Sequence, residues 1–379
     1  MGGLERIVAG ENMGCGEIGF MGDALAASAK PSHRTANKFD DKIRWRLVYC
    51  FRFSPFFMKA LYLLISRSIF IGMASVVLPA YAEETEFTIG PDYPDAPETK
   101  VQEGVPHGQV YEFTMDSKDG KIYKGIAKNT KGTVPYQRKV AVYVPSQYRP
   151  GDAAPFIVAQ DGLSYRGGLP NVLDNMIHEK RLPAMVAVMV NSGGGDSLGS
   201  QRGLEYDEVS DRYARFIEAE VLPKISRDYK IRFTSDPEGR ATMGGSSGGA
   251  AAFSMAWFRP DLYRKVLTYS GTYVNQQFPE DRKTPHGAWE YHENLIKKSP
   301  KKPIRIWLHV SENDLGHDKD EASFHNWVMA NQRMATELKA KGYDYRYVFA
   351  KAAGHTDHRV TMQTLPAALE WLWRGYTAK

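Results

Sequence analysis

The chain has 379 residues, with 49 lysines and arginines against 44 aspartates and glutamates and a hydrophobic fraction of 42%; this suits one globular domain. The formal charge of +5 is mostly N-terminal: residues 1–82 hold 10 of the basic and 6 of the acidic side chains, so the remainder carries 39 against 38 and gives no argument for nucleic-acid binding. Both cysteines, Cys15 and Cys50, lie in the same leader, which excludes a disulfide, a cysteine-ligated metal and a thiol nucleophile from the rest of the chain.

Residues 1–57 show no packable periodicity and precede a plausible start at Met58, so they read as an upstream extension or leader. Met58 and Lys59 open a basic stretch that runs to Arg67, followed by an apolar core at 69–78 and then Ala80, Tyr81 and Ala82. That is the pattern of a secretory signal peptide cleaved near Ala82. The core is about half the length of a membrane span, so a stable anchor is not expected and the mature protein is expected to be periplasmic or secreted. Residues 83–104, rich in Asp, Glu and Pro, read as a flexible mature N-terminus, and 105–379 as the main globular domain.

Within that domain, strands are predicted at 138–145 and 153–159 and a helix at 171–180. The run at 184–190 (A-M-V-A-V-M-V) is continuously apolar, as in strands buried on both faces. At 211–229, Tyr213, Phe216, Ile217, Val221, Leu222 and Ile225 recur at helical spacing. A short strand at 240–243 leads into G-G-S-S-G-G, then a helix at 250–258 with small residues in its first turn. Further strands are predicted at 266–269, 302–310 and 343–350, with helices at 326–341 and 365–373. The alternation implies an α/β domain with a mostly parallel central sheet and helices on both faces.

Strand, tight glycine turn and small-residue helix form the setting of a nucleophile elbow, G-x-S-x-G, here read with Ser247 at its centre. The partners of such a serine follow in the order Ser, Asp or Glu, His. Asp314 stands just past the strand at 302–310, with Glu312 as a rival. His355 follows a glycine just past the strand at 343–350, with His358 as a rival that reads as the start of the next helix. Both loops fall at the carboxyl edge of a parallel sheet, where ligands bind. Ser247 is therefore expected as nucleophile, His355 as general base and then acid, and Asp314 as the group orienting the imidazole. The oxyanion hole is expected from the N–H of Gly248, plus one from Gly162 or Leu163 after the strand at 153–159. Asp314, His317, Asp318, His355, Asp357 and His358 match no zinc spacing, so neither metal nor cofactor is expected. Arg202 and Glu205 follow the Gly193–Gly195 loop and either line the site rim or pair with each other. Trp289, in the polar stretch 272–301 placed over the site, either stacks on substrate or packs against the core.

From Val105 onward the chain resembles the putative-esterase family of α/β-hydrolases, in particular its exported enterochelin esterase-like or gluconolactonase-like branch. The stretches that carry the likeness are V-P-H-G from Val105, V-Y-V-P from Val142, Q-D-G from Gln160, R-G-L-E-Y-D from Arg202, D-R-Y-A-R-F from Asp211, G-G-S-S-G-G from Gly244, S-E-N-D-L from Ser311, A-N-Q-R-M from Ala330 and A-G-H from Ala353. Carried over by residue, the family triad falls on Ser247, Asp314 and His355. The resemblance implies a serine esterase acting through an acyl-enzyme on a small-molecule ester or lactone of carbohydrate, hydroxycinnamoyl or siderophore type. An acyltransferase with the same residues, or a silent binding protein on the same fold, stays open, as does the oligomeric state.

Overall fold

A computed structural model describes residues 84–125, 133–195 and 199–378; the expected leader and signal peptide lie outside the described residues. The strands are β1 (Glu86–Ile89), β2 (Gln109–Asp116), β3 (Gln137–Val144), β4 (Ala153–Ala154), β5 (Phe156–Gln160), β6 (Val186–Val190), β7 (Arg232–Phe233), β8 (Arg240–Gly245), β9 (Lys265–Tyr269), β10 (Arg305–Asn313) and β11 (Asp344–Gly354). The helices are α1 (Leu169–His178), α2 (Gln201–Tyr206), α3 (Arg212–Phe216), α4 (Leu222–Tyr229), α5 (Ser247–Phe258), α6 (Ile296–Lys298), α7 (Trp327–Ala340) and α8 (His358–Trp373).

A nine-stranded sheet takes the order β1-β11-β10-β9-β8-β5-β6-β3-β2, and β4 pairs with β7 in a separate two-stranded sheet. In the large sheet β3 runs antiparallel to both β2 and β6, and every other pairing is parallel. The apolar run at 184–190 becomes β6, whose alternate residues enter different cores. Val186, Val188 and Val190 pack with residues of α2–α5 and α7, and Ala187 and Met189 with α1 and α8. Helices thus cover both faces, as the continuous apolar pattern requires.

Two expectations are revised. The helix at 211–229 is interrupted by a π turn at Ile217–Val221 between α3 and α4. Pro223, in the first turn of α4, has no N–H to give to the preceding turn, and a widened turn accommodates that loss. The stretch at 83–104 is not a loose tail over its described part. β1 pairs in parallel with β11, from Glu86↔Tyr347 to Ile89↔Ala350. Farther on, the Asn175 amide donates to the carbonyls of Glu98 and Lys100, each at 2.8 Å.

Candidate active site

β8 ends at Gly245 and α5 begins at Ser247, so the reversal from strand to helix falls on the single residue Ser246. Its backbone, at φ 56° and ψ −130°, occupies a region that a residue with a side chain adopts only under restraint. The restraint is visible: the Ser246 N–H donates to Tyr269 O at 2.9 Å, and its carbonyl accepts from Thr272 N–H at 3.0 Å. Gly244 permits the close approach of helix to strand, since a Cβ there would lie 2.4 Å from the carbonyl carbon and oxygen of Gly248.

Ser246 Oγ lies 2.9 Å from His355 Nε2, and His355 Nδ1 lies 2.5 Å from Asp314 Oδ1. A carboxylate only accepts, so Nδ1 carries the ring proton and Nε2 presents a lone pair to the serine hydroxyl. Asp314 is buried, and it also accepts from the N–H of Leu315 at 2.8 Å. Burial pushes its pKa up; the hydrogen bond and charge of His355, with bonds from Ser270 and Leu315, outweigh that and hold it below the usual carboxylate value. The rival acid, Glu312, is exposed and accepts instead from Ala352 N–H at 2.8 Å.

The expectation for Ser247 is corrected. G-G-S-S-G-G holds the five-residue pattern twice, once around Ser246 between Gly244 and Gly248 and once around Ser247 between Gly245 and Gly249. Because β8 continues two residues past the strand expected at 240–243, the turn falls at Ser246. Ser247 is the first residue of α5, and its Oγ is buried with no hydrogen-bond partner among the described residues. The N–H that follows the turn is accordingly that of Ser247 rather than Gly248. Of the other expected donors, Leu163 N–H is already given to Asn191 Oδ1 at 3.1 Å. Asp161 N–H meets Tyr206 Oη at 3.1 Å, and Gly162 sits between the two. This loop borders the first turn of α5, where a Cβ on Gly248 would lie 3.1 Å from Gln160 Cβ.

Ser246 lines a cavity of about 340 Å³ with Asp161, Ser164, Tyr165, Arg202, Thr356 and His358 among its walls. Arg202 reaches the site as expected, but its partner is Asp161, whose Oδ2 accepts from Nε at 2.9 Å and Nη2 at 2.8 Å. Glu205 is not brought there. Its buried carboxylate takes two bonds from Arg138, at 2.7 and 2.8 Å, and others from Tyr136 and Gln201. Trp289 is likewise withdrawn from the site: it is fully buried, 4.6 Å from the His292 ring and 5.4 Å from that of Phe324. Asp161 and Ser246 are among the site residues that the motif reading passed over, with Ser164, Tyr165 and Thr356. The signal for Ser246 was the second register of the glycine pattern, and for Asp161 the Asp-Gly turn itself.

Residues 132–372 match the profile of the family described as Putative esterase. The uncharacterized protein YbbA of Bacillus subtilis strain 168 is 22% identical over 250 residues, which cover 62% of this chain and 92% of that protein. Ferric enterobactin esterase from Salmonella typhimurium superposes with a TM-score of 0.51 at 18% identity, over 71% of this chain and 59% of that one. The ferulic acid esterase AmCE1/Fae1A from the anaerobic fungus Anaeromyces mucronatus gives a TM-score of 0.50 at 14% identity, over 73% and 94%. This chain therefore spans about three fifths of the enterobactin esterase, and likeness at these identities establishes a shared fold.

Proposed function

The chain belongs to the putative-esterase family of α/β-hydrolases, and from that premise we propose that it is a serine esterase cleaving a polar small-molecule ester or lactone through an acyl-enzyme. The observation that carries the reading is the line from Ser246 Oγ through His355 to Asp314, at 2.9 and 2.5 Å. In this reading Ser246 Oγ attacks the ester carbonyl while His355 Nε2 takes its proton, and Asp314 stabilises the imidazolium. The developing oxyanion accepts from the N–H groups of Ser247 and Gly162. Collapse expels the alcohol, protonated by Nε2, and water then repeats the sequence to release the acid.

A polar substrate is supported by the cavity wall, which offers the Ser164 and Thr356 hydroxyls and the Arg202–Asp161 pair. Ferric enterobactin and ferulic acid esters, named for two structural relatives, belong in the first screen beside sugar acetates and lactones. We further propose that the enzyme works outside the cytoplasm, on the strength of the signal pattern at 58–82.

The test is serine-specific. A fluorophosphonate probe should label Ser246, and Ser246→Ala should lower kcat for p-nitrophenyl acetate by about 10⁶. Ser247→Ala leaves its backbone N–H in place and removes an oxygen that has no partner, so it should lose far less. The reverse ranking of the two variants would overturn the assignment.

A further inference from the structure

The nucleophile has one more polar neighbour, and the chemistry of that neighbour fixes the direction of its hydrogen bond. Thr272, buried just past β9, places Oγ1 3.4 Å from Ser246 Oγ. On its other side, Oγ1 lies 3.2 Å from Trp327 Nε1. An indole N–H can only donate, so Thr272 Oγ1 accepts from Trp327 and its own hydrogen is free to turn toward Ser246. Ser246 in turn spends its hydrogen on His355 Nε2, because Nδ1 is protonated against Asp314. Trp327 Nε1, Thr272 Oγ1, Ser246 Oγ and His355 Nδ1 are then each used once as donor, His355 Nε2 accepts, and all donations point toward Asp314.

On the serine-esterase reading above, we propose that Thr272 is a further catalytic residue, donating a hydrogen bond to Ser246 Oγ, and that Trp327 is the positioning residue that keeps it pointed there. The placement is firm on both sides. Thr272 N–H is bonded to Ser246 O at 3.0 Å, so its backbone moves with the elbow. Trp327 opens α7, with its own N–H on Leu315 O at 3.1 Å, next to the acid. Its ring also meets His355 edge-to-face at 6.1 Å. One tryptophan thus touches the acid loop through its backbone, the base through its ring and the nucleophile through Thr272. The donated bond is long at rest; bonds of this kind tighten when their acceptor gains charge. Ser246 Oγ gains charge as its proton leaves for His355 and again when it departs from the acyl group. Thr272 therefore favours both steps without touching the substrate, so its loss falls on kcat and not on KM.

The experiment compares Thr272→Val, Thr272→Ser, Trp327→Phe and the Val/Phe double variant, with kcat and KM for p-nitrophenyl acetate and the rate of fluorophosphonate labelling. Val keeps the shape and removes the hydroxyl; it should lower kcat and the labelling rate about tenfold with KM unchanged. Ser restores the hydroxyl and should recover most of the rate. Phe keeps a ring edge for His355, and because the indole N–H acts only through Thr272, the double variant should be no slower than Thr272→Val alone. Wild-type kcat in Thr272→Val, an equal loss in Thr272→Ser, or losses that multiply in the double variant would each overturn the proposal. A wild-type protein in which Ser246 is not labelled would instead overturn the serine-esterase reading itself.

Discussion

Asp314 and Glu312 stand two residues apart at the end of one strand, and only their partners separate their roles. Asp314→Asn preserves the shape but offers His355 an amide where it needs an acceptor, so kcat should fall by about 10⁴. Glu312→Gln should leave kcat near wild type, its carboxylate being an exposed acceptor for Ala352 N–H. Kinetics on the two purified variants decide the matter, and a larger loss for Glu312→Gln would exchange the assignments. Strand ends made Asp314 and His355 legible from the sequence, because a carboxylate and an imidazole just past neighbouring parallel strands must share an edge. The serine was ambiguous because two overlapping registers satisfy the same glycine pattern, and only the true end of β8 separates them. Glu205 misled for another reason. Spacing sets it one helical turn from Arg202, yet Arg138 on β3 claims it, a long-range pairing that local spacing does not reveal.

At the scale of elements, β1 was hidden because four residues, E-F-T-I, carry too short an alternation to stand out in an acidic, proline-containing stretch. Its stability comes from β11, which lends it a parallel edge, and from the bond of Tyr347 N–H to Thr85 O at 2.8 Å. This bears on maturation. The proposed cleavage after Ala82 would leave the strand whole, whereas cleavage past Glu86 would remove part of it and bare the β11 edge. Expressed from Met58 in a Gram-negative host, the soluble periplasmic protein should begin at Glu83 by mass spectrometry. An uncleaved membrane-bound product, or one that begins within β1, would refute this account of processing.

At the scale of the molecule, two histidines among the described residues are held neutral inside the fold. Burial drives His309 on β10 down to about 4, against opposing pulls from Asp314 and Asp357. Burial likewise drives His292 down to about 3, although its bond to the Tyr273 carbonyl works the other way. Between those values and the ordinary 6.5, the unfolded chain binds protons that the folded chain refuses, so stability rises with pH in that window and is lost as pH falls. The two together should remove about 2 kcal/mol between pH 6 and pH 5. Urea denaturation at the two pH values measures it, and a flat or rising stability on acidification would show that the histidines are not buried as described.

The cavity beside Ser246 has walls of separate origin. Asp161, Ser164 and Tyr165 follow β5, and Arg202 belongs to α2, whereas the proposed triad of Ser246, Asp314 and His355 sits at the ends of β8, β10 and β11. Part of the wall is therefore drawn from stretches of chain that carry none of the proposed triad, and Thr356 and His358, beside His355, complete it. Substitutions at Asp161, Ser164, Tyr165 and Arg202 should therefore redraw what the cavity admits while the line from Ser246 to Asp314 stays untouched, so substrate choice can change on this scaffold without rebuilding the reaction proposed for it.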